Sequence, residues 1–295
     1  MRTLIKHLGA PLLAAIVATG AEARSIVIGG KNFTEQQLLA EMTAQYLDHL
    51  GYQVERRTGM SSTTVRRAQE TGQVDLYWEY TGTSLLIYNK LEEGIGSPEA
   101  VYQKVKTLDA QKGLVWLQPS GANNTYALAM QRADAEANGI TTLSELAQAL
   151  NDGRELTLAT NAEWYVRDDG FKALQTAYGL KMERSDIMRL DTDLTHVALN
   201  EGIVDIALVF ATDGRIPAFD LVLLEDDKAF FPAYVVTPVV REEVLEANPL
   251  LAAQLNVLSA RLDNDTLSAL NARIDVDRGV IEQVAEEFLR SSGLR

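Results

Sequence analysis

The sequence predicts an α/β protein folded as two lobes, and three observations carry that expectation. Short apolar, strand-like runs alternate with amphipathic, helix-like runs, which is the pattern of βαβ units and mostly parallel sheets. The alternation comes twice, once up to about Leu117 and again from Tyr126. No Pro-, Gly- or Ser-rich linker divides the two groups, so short crossing strands are expected to join the lobes, with the C-terminal helices returning to the first. Periodicity alone also fits a single large α/β domain.

Taken in order, the chain opens with Arg2, Lys6 and His7, then an apolar run from Leu8 to Gly20, then the small-x-small triplet Ala21-Glu22-Ala23. A run of about 13 apolar residues is too short to span a bilayer. Residues 1–23 therefore read as a cleaved secretory signal, with the mature chain starting near Arg24. A buried N-terminal helix is the alternative. The Ser25–Ile28 run reads as a buried strand ending at Gly29-Gly30. Thr34-Glu35-Gln36-Gln37 has the pattern of a capping box before a helix that carries Leu38, Leu39, Met42, Tyr46, Leu47 and Leu50 and stops at Gly51. Strands follow at 52–56, 74–80 and 114–117, with helices at 61–70 and 98–112. In the second group the strands are expected at 126–130, 156–159 and 204–210, and the helices at 142–150 (capped by Thr142 and Glu145), 169–178 and 192–200. The segment from Arg241 to Leu289 reads as largely helical.

Composition narrows the function classes. Net charge is −14, and removal of the leader, which holds Arg2, Lys6 and Glu22, makes it −15. So acidic a chain disfavours nucleic acid or an anionic membrane as partner and suits solubility or a cationic ligand. There is no cysteine, which excludes disulfides, thiolate metal sites and a lipid-anchored cysteine. The three histidines sit in no patterned catalytic set, and no Walker loop, nucleophile elbow, zinc-protease motif or complete dinucleotide fingerprint is present. The run Glu225-Asp226-Asp227 lacks the alternating ligands of a calcium loop and reads as a solvated turn. No metal and no cofactor is expected. If the protein were an enzyme, Glu79, Asp213 and His196 would be its acid/base candidates.

Aromatic residues are more telling. Tyr77, Trp78 and Tyr80 close one strand before Thr81-Gly82-Thr83, Tyr126 starts another, Phe210 ends one and Tyr234 begins one. Ligands of open α/β sheets sit at such strand ends; taken one at a time, each of these aromatics reads as ordinary core.

Five segments, GGKNFTEQ (29–36), YWEYTGT (77–83), NNTYALA (123–129), ATDGR (211–215) and LEDDK (224–228), are in register from Ser25 to Leu294 with one family. They resemble the osmoprotectant (glycine betaine/carnitine/choline) substrate-binding proteins of ABC importers, most of all the periplasmic osmoprotection branch. The resemblance implies a type II periplasmic-binding-protein fold: lobe 1 from residues 24–124 plus 232–295, lobe 2 from 125–231, a hinge and an inter-lobe cleft. It implies an aromatic box of Tyr80, Tyr126, Phe210 and Tyr234 for a trimethylammonium group, polar pocket residues Thr83, Lys31 and Asn124, and a carboxylate-binding arginine, Arg167. It further implies a monomer that docks on a permease with an ATPase subunit and catalyses nothing. Choline, carnitine, ergothioneine or another solute stand as alternative ligands to glycine betaine, and an enzyme on the same scaffold as the alternative class.

The chemistry is sound without the family. A trimethylammonium has charge but no N–H, so aromatic faces rather than hydrogen-bond acceptors replace its hydration, at about 0.5–2 kcal/mol per ring. Two residues depart from the family pattern: Phe210 stands where a tyrosine is expected, and His196 where relatives often have one. A histidine facing the ligand would repel a cation below about pH 6.5; the alternative is a histidine on the helix surface.

Overall fold

Ile26-Val27-Ile28 begins a six-residue strand whose every side is buried, β1 (Ile26–Lys31), and the reason it does not stop at its glycine pair is steric. A Cβ on Gly29 would lie 2.7 Å from Val74 Cγ1, and one on Gly30 would lie 2.9 Å from Thr58 Cγ2. The glycines let neighbours press on the strand, and β1 runs on to set Lys31 at its end. A computed structural model describes residues 25–91 and 97–295; the secretory signal expected at residues 1–23 lies outside the described residues.

After β1 come α1 (Thr34–His49), β2 (Val54–Met60), α2 (Ser62–Glu70), β3 (Leu76–Tyr80), the short α3 (Thr81–Thr83) running into one π-helical turn, α4 (Pro98–Ala110) and β4 (Leu114–Trp116). The second group is β5 (Tyr126–Gln131), α5 (Arg132–Asn138), α6 (Leu143–Asn151), β6 (Leu158–Asn161), α7 (Ala162–Val166), α8 (Phe171–Tyr178), β7 (Ile187–Leu190), α9 (Thr195–Asn200), β8 (Ile206–Phe210), α10 (Arg215–Ala218) and β9 (Leu221–Leu223). The chain then returns through β10 (Val236–Arg241) and ends in α11 (Glu242–Ala247), α12 (Leu251–Ser259), α13 (Asn264–Asp275) and α14 (Ile281–Ser291). Among the described residues no helix is long and apolar enough to cross a membrane.

Two five-stranded sheets result, ordered β2-β1-β3-β10-β4 and β7-β6-β8-β5-β9. Each sheet with its helices forms a lobe. Both are mixed rather than mostly parallel. The β1–β2, β1–β3, β6–β7 and β6–β8 pairs are parallel, whereas β10 runs antiparallel to β3 and β4, and β5 antiparallel to β8 and β9. The exceptions have one cause: β5 and β10 are the strands by which the chain enters and leaves the second lobe. Where the crossings pass, Asn123 bridges Val235 antiparallel, and Asn124 N donates to Tyr234 O at 3.1 Å. A backbone ladder joins the lobes, which is why no flexible linker appears in the sequence.

The capping expectations divide. Thr142 and Glu145 form their reciprocal box at the start of α6. Thr34 does not cap α1: Phe33 occupies the N-cap, and the Thr34 hydroxyl donates instead to Asp275 Oδ1 at 2.7 Å on α13. Glu35 is thereby turned inward, where it is 3% exposed.

Candidate ligand-binding site

The mixed sheets explain how residues so far apart in sequence meet. β1, β3, β6 and β8 present their C-terminal ends at the edge facing the other lobe, and the reversed β5 presents its N-terminal end there. Lys31, Tyr80, Asn161 and Phe210 are final strand residues, Tyr126 is an initial one, and Tyr234 lies on the crossing before β10. All six line one narrow cavity of about 30 Å³ between the lobes, as do Thr83 and Asn124. Seven of the eight residues expected from sequence are thus brought together; Arg167 is not among the lining residues.

The rings form a continuous chain across the cleft. Tyr126 faces Phe210 in strand register, with ring centroids 5.0 Å apart. Tyr234 meets Tyr126 edge to face at 5.2 Å. Phe33 stacks on Phe210 at 5.4 Å and lies 6.2 Å from Tyr80, so it is a fifth ring, and it joins the two lobes. Sequence reasoning misses Phe33, which the structure places two residues beyond the end of β1. Asn32, Ser62, Asn161, Glu163 and Thr192 also line the cavity without having been expected. Asn161 is otherwise engaged as the N-cap of α7, its Oδ1 accepting from Trp164 N at 2.7 Å.

Each tyrosine is held by its hydroxyl. Tyr80 donates to Glu35 Oε1 at 2.8 Å and accepts from Gln36 Nε2 at 3.1 Å. Tyr126 accepts from Arg167 Nη1 at 3.4 Å, and Tyr234 donates to Asp169 Oδ2 at 3.2 Å. Burial raises all three phenols, Tyr126 to about 12, so the rings stay neutral. Gly82 explains the Thr-Gly-Thr turn: a Cβ there would lie 2.8 Å from Tyr234 ring carbons and 3.0 Å from Ala233 O. Only glycine lets the ring rest against this backbone.

The polar residues are largely committed. Lys31 Nζ lies 2.6 Å from Glu79 Oε1 and 4.7 Å above the Tyr80 ring. Glu79 also accepts from the hydroxyls of Tyr77 and Tyr88 and from Tyr80 N. Asn124 Nδ2 donates to Glu35 Oε1 at 2.8 Å. Glu35 accepts in addition from Thr212 of the second lobe and from Asn271 of α13, so one buried carboxylate ties both lobes and the crossing together. Burial raises its carboxyl above the usual range, against the pull of those donors.

Arg167 stands behind the rings. Its Nε and Nη2 fork onto Asp169 at 2.8 and 2.6 Å, and its guanidinium carbon is 5.5 Å from the Tyr126 ring centroid. His196 is neither at the helix surface nor on the cavity wall. It is 2% exposed on the inner side of α9, with Nε2 against Arg215 Nη1 and Nδ1 3.3 Å from Asp213 Oδ2. Burial, reinforced by Arg215, pushes its pKa down to about 3. Among the described residues, no three His, Cys, Asp or Glu side chains are placed to hold a metal ion.

Comparison with known proteins follows the same lines. Residues 24–291 match the OpuAC family, the substrate-binding domain of ABC-type glycine betaine transport systems. A glycine-betaine-binding protein of Pseudomonas aeruginosa is 43% identical over 100% of this chain and 96% of its own. The solved structure of apo YehZ from Escherichia coli is 34% identical, covers 92% of this chain and 100% of its own, and superposes with a TM-score of 0.69. A solved glycine betaine/carnitine/choline ABC transporter component, 26% identical, covers 92% of this chain and 99% of its own with a TM-score of 0.76.

Proposed function

The chain belongs to the family of substrate-binding domains of ABC-type glycine betaine transport systems, and from that premise we propose that it captures a small quaternary-ammonium solute in the periplasm and hands it to a permease driven by an ATPase. One observation carries the reading: five aromatic rings from two lobes and their crossing, Phe33, Tyr80, Tyr126, Phe210 and Tyr234, line a single cavity. Ring faces that stay neutral supply negative potential to a cation that has no proton to donate.

The cycle follows from the geometry. Phe33 and Phe210 belong to opposite lobes and stack on each other, so a trimethylammonium enters by parting them. Closure of the lobes around it then exchanges ring–ring contact for ring–cation contact and removes water, which strengthens the attraction. Lys31, Thr83, Asn32 and Asn161 line the same cavity and orient the ligand's other end. Turnover is not part of this reading. Glu79 lies behind Lys31 in the first lobe, while His196 and Asp213 pack together in the second, so the three acid/base candidates do not converge.

Calorimetry with glycine betaine, choline and carnitine, alongside the uncharged tert-butyl isostere of choline, tests the proposal. Choline should bind at least about tenfold more tightly than its isostere if the rings read charge. Tyr80→Ala, Tyr234→Ala or Phe33→Ala should each weaken binding by about tenfold or more. Equal binding of isostere and choline, or no binding of any quaternary amine, overturns it.

A further inference from the structure

We propose that Gly214, Arg215 and Asp275 form a clasp between the lobes, outside the ring cavity, which sets how long a bound ligand is held. The inference rests on the quaternary-ammonium reading above and deepens it, by naming residues that retain the ligand without touching it. Beyond β8 the segment 212–215 of the second lobe lies on α13, which packs on α1 in the first. Asn271 Nδ2 donates to Thr212 O at 3.0 Å. Arg215 Nη2 meets Asp275 Oδ1 at 2.7 Å, with the side chains only 8% and 10% exposed. None of Gly214, Arg215 and Asp275 lines the ring cavity.

The seat fits only when the lobes are together. A Cβ on Gly214 would fall 2.4 Å from Ala272 N and 2.5 Å from Ala272 Cα, so glycine alone lets this turn rest on the helix backbone. Its φ of −67° is ordinary, so the position uses the small size of glycine and not its backbone freedom. The helix beneath starts beside the crossing, where Asn264 Oδ1 accepts from Asn123 N at 2.7 Å. Asp275 ends that 12-residue helix. It therefore lies roughly 16 Å from the crossing at 1.5 Å per residue, far enough for a hinge rotation to part the ion pair.

Both ions keep a partner when the lobes part. Arg215 Nη1 lies 3.7 Å from Asp213 Oδ2 and 3.9 Å from Asp193 Oδ1, both in its own lobe. Asp275 Oδ1 accepts from the Thr34 hydroxyl in the other lobe. Opening thus leaves no bare buried charge, and the clasp makes and breaks reversibly. Because it touches no ligand, it favours the closed form by the same factor whichever ligand is inside.

Stopped-flow kinetics and calorimetry of the whole mature protein with choline and glycine betaine test the clasp in wild type, Gly214→Ala and Asp275→Asn. Gly214→Ala crowds the closed form alone and should raise the dissociation rate of both ligands by about tenfold or more. Association rates and the ratio of the two dissociation constants should stay where they were. Asp275→Asn keeps an acceptor for Thr34 but loses the charge, and should raise the dissociation rate about fivefold in the same manner. A variant that is merely less stable would melt earlier and keep wild-type rates. Wild-type dissociation rates in either folded variant, or a shifted ratio, overturn the inference. Should Gly214→Ala fail to fold, Asp275→Asn and Asp275→Ala give the same readout. Failure of the wild type to bind either ligand refutes the functional reading itself, whereas binding with unmoved dissociation rates in the variants refutes only the clasp.

Discussion

Gly82→Ala isolates the contact between one ring and the backbone that supports it. Gly82 lies in α3 and its φ is not positive, so alanine fits the backbone. Helix propensity alone would make the change favourable by about 1 kcal/mol. The new methyl, however, would lie 2.8 Å from Tyr234 Cδ1 and Cε1 and 3.0 Å from Ala233 O. Real Cβ atoms do not approach so closely, and the ring has little room to retreat. Its far side abuts Tyr126 edge to face, its hydroxyl is held by Asp169, and its backbone N donates to Asn123 Oδ1 at 2.7 Å. Forced overpacking of this kind costs about 1–3 kcal/mol. A ring swung off its position also gives up about 0.5–2 kcal/mol of cation attraction. Affinity for a quaternary amine should therefore fall by about 2- to 30-fold, while the melting temperature drops by only a few degrees. Calorimetry and a melt on the same sample give both numbers. A folded Gly82→Ala protein with wild-type affinity would refute the claim that this glycine seats a ligand-facing ring.

Two further expectations concern the framework behind the rings. Glu35→Gln should destabilise by about 1–3 kcal/mol, because an amide cannot accept from all four donors: whichever way it turns, its NH2 faces the side-chain NH2 of Asn124 or of Asn271. A denaturant midpoint equal to that of the wild type would show that this hub is not needed. For His196 the folded pKa, about 3, lies below the ordinary 6.5. The unfolded chain thus takes up the proton first, and the stabilisation present above about pH 6.5 is lost as pH falls toward 3. Between pH 7 and pH 4 that loss is about 3 kcal/mol. Asp193 acts in the opposite sense, since burial raises it to about 6 and the folded state binds its proton more readily. The informative quantity is therefore the stability difference between wild type and His196→Gln, which should shrink on acidification. A difference that is constant from pH 7 to pH 4 contradicts the assignment.

What is legible in the chain divides along the line between local and relational information. Tyr80, Tyr126 and Phe210 are legible as strand-end rings, from a short apolar run and the turn beside it, but only the family resemblance separates them from ordinary core. Phe33 escapes because it looks like part of a helix start; only the stack on Phe210, from another lobe and 177 positions away, shows it to be a cavity ring. The direction of β5 and β10 escapes for the same reason. Apolar runs report burial and not the sense of the neighbouring strand, so the antiparallel pairing follows only from the chain crossing into the second lobe and back. Arg167 is the sharpest case. The family resemblance makes Arg167 a donor for a ligand's carboxylate, and nothing in Arg167-Asp168-Asp169-Gly170 says which acid turns toward it. The turn at Gly170 decides that, through a contact with Trp164 O that leaves no space for a side chain. A site residue's chemistry is thus set twice, once by its type, which the sequence displays, and once by which partner the backbone presents to it. In this protein the second choice governs both cations close to the cleft, since Lys31 is held by Glu79 as Arg167 is held by Asp169. The rings are left as the groups free to receive a cation.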